Sequence, residues 1–212
     1  MNPNPLILAI PASFDFTAST LMFVALTMCP PSIYQMMRGF VTVITAIFSI
    51  IFLKRKQYRH HWTGLACIIT ALIEIGYVAI AFEGTGSDGA GGSVAVGILL
   101  ILLAQVFVGG LFITEEFFLG DYYLDPLKVV GTEGMFGLAY LILLLPVFQL
   151  IQCSGTTGLE SLCNFNYLEN SSYALAQMQA NPVIIVYALS IMVSIAFFNV
   201  CGVTTTKVAS AA

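Results

Sequence analysis

Charged side chains are scarce in this chain of 212 residues, at 8% of the total against 58% hydrophobic. A soluble domain carries about a quarter of its residues as Asp, Glu, Lys and Arg, so this chain cannot cover a water-facing surface. The sequence also lacks the basic surface that binds nucleic acid and a glycine-rich nucleotide loop. It has no Ser-His-Asp set, HExxH motif or paired catalytic carboxylates, so we expect neither an enzyme nor a cofactor or metal site.

Long apolar runs are what the sequence does contain. Six of them could cross a bilayer core of about 30 Å, which takes roughly 20 residues of helix. They predict an all-α polytopic membrane protein whose first partner is the lipid bilayer. We call them helices A to F: Leu6–Met28, Pro31–Leu53, His61–Phe82, Ser93–Phe118, Val129–Ile151 and Pro182–Thr205.

The basic residues predict an orientation for these helices. Four of the seven lie between Lys54 and Arg59, in the link from helix B to helix C. The positive-inside rule places that link in the cytoplasm, and Lys128 and Lys207 then fall on the same side. The link at residues 84–92 and the E–F loop at residues 152–181 are expected to face the lumen.

The E–F loop carries two signals that fit a lumenal position. Cys153 and Cys163 could form a disulfide there, because an oxidising lumen permits one. Asn170 begins an Asn-Ser-Ser triplet, which is a glycosylation acceptor in a lumenal loop. We therefore expect a Cys153–Cys163 bridge and a glycan at Asn170.

Helix B carries the clearest polar pattern within a span. Gln35, Arg38, Thr42, Thr45 and Ser49 recur at helical spacing and are predicted to share one face. Such a stripe must face protein or water rather than lipid. Arg38 is then an anion contact in a cavity or the partner of Asp15; the alternative is that it reaches toward the lumenal headgroups.

Other intramembrane polar residues are weaker candidates. Asp15, Gln105 and Glu133 are candidates to line the same cavity and contact substrate, together with Gln35, Arg38 and Thr42. Glu115 and Glu116 lie near the predicted end of helix D, where simple solvation is expected. His60 and His61, beside Tyr58 and Trp62, are interpreted as part of an aromatic belt at the membrane interface.

Four stretches carry a resemblance to a known family. They are Phe14–Leu26, Tyr34–Gly39, Gly131–Gly137 and Ser194–Asn199. Together they resemble solute carrier family 35, subfamily F, in the drug/metabolite transporter superfamily that includes nucleotide-sugar transporters. The resemblance implies ten helices in two inverted repeats, alternating access, and residence in an endomembrane such as the Golgi or lysosome.

On that pattern, helices A to F correspond to the third through eighth helices of the family. Residues 1–92 then belong to the first repeat and residues 93–212 to the second, and the chain resembles a fragment with both repeats incomplete. The implied function is transport of a small solute, of the nucleotide-sugar or metabolite class and expected to be anionic. The alternative is a membrane scaffold or sorting partner of the same fold; the sequence leaves the substrate and a homodimer open.

Overall fold

The computed structural model describes residues 5–54, 56–83, 90–122, 125–150 and 170–209. Within them, six helices are long and apolar enough to cross a membrane. The described residues form helices and connecting turns, with no strand among them. The prediction of an all-α polytopic membrane protein is confirmed.

Eight α-helices follow one another along the described chain. A short 3-10 helix at Pro5–Leu8 precedes the first, and a π-helical turn at Ala79–Glu83 follows the fourth. The helices are α1 (Ala9–Met28), α2 (Pro31–Met37), α3 (Phe40–Phe52), α4 (Arg59–Val78), α5 (Ala90–Tyr122), α6 (Pro126–Leu150), α7 (Ser171–Ala180) and α8 (Val183–Ala209).

Predicted helix B is interrupted, and the structure has α2 and α3 in its place. The break lies at Arg38 (φ −59°, ψ −24°) and Gly39 (φ −56°, ψ −19°). These are 3-10 values, and the Gly39 N–H accordingly donates to the Met36 carbonyl, three residues back, at 3.1 Å. The tightened turn lies at Arg38, the one basic residue in the described spans that is well away from a span end.

The predicted E–F loop contains a helix, α7. Its start is marked by Asn170 as N-cap, whose Oδ1 accepts a hydrogen bond from the Tyr173 N–H at 3.1 Å. At the other end of the chain, α1 begins at Ala9. Pro11 is therefore in the first turn, where its missing N–H removes no helical hydrogen bond.

Helix α5 is the centre of the bundle and packs against α1, α2, α3 and α8. One cluster of buried side chains joins the end of α1 to α2 and the start of α5; its members include Ala25, Cys29, Ile33, Met37, Val94 and Ile98. A second cluster joins the opposite ends of the helices; its members are Leu8, Phe118, Leu119, Val129 and Val203. Lys128 and Lys207 lie at the same end of the bundle as this second cluster. We call that end of the bundle the basic end.

The contact between α3 and α5 is very close at Gly109. A Cβ added there would lie 2.5 Å from Ile44 Cγ2. Glycine at such a position lets two helix backbones approach more closely than any side chain permits. The outer helices α6 and α8 instead leave most of their apolar side chains exposed, as lipid-facing helices do.

Candidate functional site

The polar stripe predicted for helix B is divided by its surroundings. Gln35, Arg38 and Thr42 are exposed, whereas Thr45 and Ser49 are buried. The hydroxyl groups of Thr45 and Ser49 have no hydrogen-bond partner among the described residues. The five residues therefore do not line one continuous surface, since Thr45 and Ser49 are covered by neighbouring helices and the other three are not.

Arg38 is not paired with Asp15. Its guanidinium carbon lies 5.9 Å from the centroid of the Tyr34 ring, a cation–π contact within its own helix. In the described part of the chain it has no ion pair. Asp15 lies elsewhere, near two other acids, so the ion pair that the sequence suggested is absent from this structure.

Three acids from three helices come together on the other side of α5. The side chains of Glu115 in α5 and Glu133 in α6 lie close enough to interact with each other, and Asp15 in α1 is close enough to interact electrostatically with both. Glu115 is only 5% exposed. Neighbouring carboxyl groups that are removed from water repel each other when both are ionised, and a proton on one of them relieves the repulsion. This acidic cluster (Asp15, Glu115 and Glu133) can therefore hold a proton between helices.

The three acids lie at one depth. By helix rise, each is about 10 Å from the basic end of its own helix. The apolar cluster around Phe118 and Val129 lies between them and that end. Glu133 Oε1 is buried and has no hydrogen-bond partner among the described residues. Packed apolar side chains thus close the acidic cluster toward the basic end. Its member Asp15 is exposed.

The expectation that Glu115 and Glu116 are simply solvated was wrong. Glu116 is 8% exposed and, like Glu115, counts among the buried residues. Helix D was predicted to end at Phe118, but α5 continues to Tyr122. Because α5 is one turn longer than predicted, Glu115 and Glu116 lie a full turn further from its end. A prediction that extended helix D to Tyr122 could have identified both residues as buried.

Gln105 does not belong to the acidic cluster. It is 2% exposed, and its Nε2 lies 3.7 Å from Met22 Sδ. It joins α5 to α1 in the middle of the bundle through a weak donor–sulfur contact. Its contribution in this structure is packing between helices.

A cavity of about 520 Å³ lies between α3, α4 and α5. Thr42 and Thr45 line it from α3, which keeps two residues of the predicted stripe at one site. Lys56, Gln57 and His61 line it from the α3–α4 link and the first turn of α4. His61 Nδ1 is 2.5 Å from Gln57 Oε1. Lys56, Gln57 and His61 form the open end of this cavity, which we call its mouth. The sequence analysis placed His61 only in the interfacial belt and did not predict this role.

The backbone at Lys54 sets the position of that mouth. Its φ is 52°, in the left-handed region. A left-handed residue just after a helix is a common way to end it and reverse the chain. Here it ends α3 and returns the link across the cavity, so that Lys56 and Gln57 reach its edge.

Of the three residues predicted to carry a disulfide or a glycan in the E–F loop, the structure describes only one. Cys153 and Cys163 lie outside the described residues. Asn170 is described, and besides capping α7 its Oδ1 accepts a hydrogen bond from Ser172 Oγ at 2.7 Å. The next residue, Ser171, accepts from Gln149 Nε2 at 2.8 Å. The glycosylation triplet therefore lies against the end of α6.

Comparison with known proteins supplies the family. No protein-family model matches the chain. Solute carrier family 35 member F6 of Homo sapiens is 37% identical over 208 residues, which is 98% of this chain and 55% of that protein. The rat protein of the same name is 35% identical over the same share. An uncharacterised protein of Schizosaccharomyces pombe is 32% identical over 204 residues, 59% of its length.

The chain thus spans little more than half the length of the curated relatives it matches. The four stretches that suggested the family lie within the matched region, which covers nearly the whole chain. The helical, polytopic fold agrees with the solute carrier names. On these grounds the chain belongs to solute carrier family 35, subfamily F.

Proposed function

We propose that the chain contributes the central helices of an alternating-access transporter for a small solute. The observation that carries the proposal is the acidic cluster. Ionisable residues within membrane spans are costly, and they mark proton relays or substrate paths where they occur. A transporter has use for three acids held together between helices, whereas a scaffold gains nothing from them.

The location of the acidic cluster supports the same proposal. Asp15 comes from residues 1–92 and the two glutamates from residues 93–212, the two segments that we propose to be parts of inverted repeats. In transporters of that design, substrate and coupling-ion sites lie where the repeats meet, and one repeat rocks against the other. A proton shared by Glu115 and Glu133 would be gained or lost as α5 and α6 separate.

The cargo that we propose is a small anionic metabolite, of the class that nucleotide-sugar transporters carry. The acidic cluster would repel such an anion, so its contact has to lie elsewhere. Arg38 remains the candidate, because its guanidinium is exposed and pairs with no acid in the described part of the chain. Gln35, one turn away in α2, is exposed beside it.

The test is uptake by the longest natural form of the protein, reconstituted in vesicles with an imposed pH gradient and a panel of labelled anionic metabolites. Glu115→Gln and Glu133→Gln keep the size and hydrogen bonding of the side chains but cannot ionise. Each is expected to lower uptake at least tenfold, a loss of about 1.4 kcal/mol or more in transition-state stabilisation. Glu74→Gln, an exposed acid on α4, is the matched control and should leave uptake unchanged.

Two results would contradict the proposal. Uptake that survives both glutamine variants would remove the acidic cluster from transport. A folded wild-type protein that carries no member of the panel, with or without a pH gradient, would favour the membrane scaffold or sorting partner instead.

A further inference from the structure

The cavity between α3, α4 and α5 is separate from the acidic cluster and is not needed for the proposed transport. We propose that it is a binding site for an anionic glycerophospholipid, with the phosphate at Lys56 and one acyl chain between the helices. Three properties of the cavity define this ligand: its apolar walls, its basic mouth and one buried hydroxyl group.

The walls select an apolar body. Below the mouth, the lining side chains other than Thr42 and Thr45 are apolar: Val41, Ala46, Leu65, Ile68 and Phe112. A sugar or nucleotide lying here would bury hydroxyl groups without partners, and each such group costs about 1–3 kcal/mol. An acyl chain has no such groups, and the volume of about 520 Å³ lies in the range of small-molecule sites.

The mouth selects an anion at the membrane surface. Lys56 is exposed and lines the cavity, and His61 lines it beside Gln57. Tyr58 and Trp62, which flank His61, are 66% and 55% exposed, and exposed aromatics of this kind lie at the level of lipid headgroups. Basic pockets that open between membrane helices at that level bind lipid phosphates.

A buried hydroxyl group in the cavity wall selects one further oxygen. Thr45 is 3% exposed, its hydroxyl has no partner among the described residues, and it lines the cavity. By helix rise it lies about 10 Å inside the end of α3, below the mouth. A donor at that depth fits an acyl ester carbonyl, which in a glycerophospholipid lies between phosphate and chain. Inorganic phosphate, by contrast, could satisfy only the mouth.

The single tryptophan of the chain allows a direct test. The protein is reconstituted in phosphatidylcholine vesicles that contain a minor fraction of either brominated phosphatidic acid or brominated phosphatidylcholine. Bromine quenches Trp62 fluorescence at short range, so quenching reports which lipid occupies the mouth next to it. We expect phosphatidic acid to quench at much lower fractions than phosphatidylcholine.

Two variants test the site and two serve as controls. Lys56→Gln removes the mouth charge and is expected to lower the preference for phosphatidic acid about fivefold. Gly64→Leu adds an apolar side chain to the cavity wall, where an added Cβ meets no described atom within 4 Å. It should abolish the preference. Lys128→Gln and Gly202→Leu, matched changes away from the cavity, should retain it.

Equal quenching by the two lipids would overturn the proposal. So would a folded Gly64→Leu variant that keeps the preference. If inorganic phosphate or glycerol phosphate abolishes the preference at concentrations comparable to those of the lipid, the ligand is a soluble phosphate and the lipid assignment is wrong. None of these results depends on solute uptake, so the site and the proposed transport can fail independently.

Discussion

Gly109 of α5 should tolerate a methyl group far less well than its neighbour Gly110. A Cβ added at Gly109 would lie 2.5 Å from Ile44 Cγ2 and 3.3 Å from Ile44 Cβ. Ile44 is β-branched and holds that methyl beside the backbone of α3, so rotation of its side chain gives little relief. At Gly110 the nearest atoms belong to the ring of Phe14 at 3.6 Å, an ordinary van der Waals contact.

The difference between the two alanine variants isolates the cost of that close contact. Both substitutions lie inside one helix and gain the same propensity, about 1 kcal/mol over glycine, so this term cancels. What remains is overpacking, which costs about 1–3 kcal/mol. We therefore expect Gly109→Ala to be about 1–3 kcal/mol less stable than Gly110→Ala, measured as the free energy of unfolding in mixed micelles titrated with SDS.

A second substitution tests the cause. Ile44→Leu moves the branch from Cβ to Cγ and removes the atom that Gly109→Ala would strike. The double variant should recover most of the lost stability, because the two changes are in direct contact and do not add. Equal stability of Gly109→Ala and Gly110→Ala would refute the close approach of α3 and α5.

Three further predictions use the same unfolding measurement. Lys54→Gly should stabilise the protein by about 1 kcal/mol, because glycine adopts the left-handed φ of 52° without strain, and Lys54→Ala should show no gain. Ser49→Ala should stabilise it by about 1 kcal/mol, since the removed hydroxyl is fully buried and has no described partner; Ser190→Ala, exposed on α8, should be neutral. The changes in unfolding free energy caused by Arg38→Ala and Asp15→Asn should add to within about 0.5 kcal/mol in the double variant. A larger departure from additivity would indicate the ion pair that the structure lacks.

The sequence predicted the class of fold well because that class depends on composition and run length. A bilayer demands helices of a set length with few charges, and six runs meet that demand whatever their packing. The ends of the runs were less certain, and the error at Tyr122 misassigned Glu115. Asn170 as a cap and Pro182 beyond the last turn of α7 were readable signals of a helix that sequence reasoning assigned to a loop.

Pairing between helices was a different problem. Arg38 and Asp15 looked like partners because each is an isolated charge in an apolar helix. Yet by helix rise Asp15 is about 20 Å from the end of α1 at Met28, whereas Arg38 is about 10 Å from Pro31. The two are about 10 Å apart in depth, and that comparison alone disfavours the pair.

What the sequence determined by itself was therefore membrane insertion, the number of described spans, and the family. These properties follow from local composition and from short sequence stretches that need no partner. The tertiary structure decided which charges meet, since Asp15, Glu115 and Glu133 are distant in the chain and only the packing of α1, α5 and α6 brings them together. It also decided the cavity, because its mouth depends on the left-handed residue Lys54 and its walls on the close packing of α3 against α5 at Gly109, where only glycine fits.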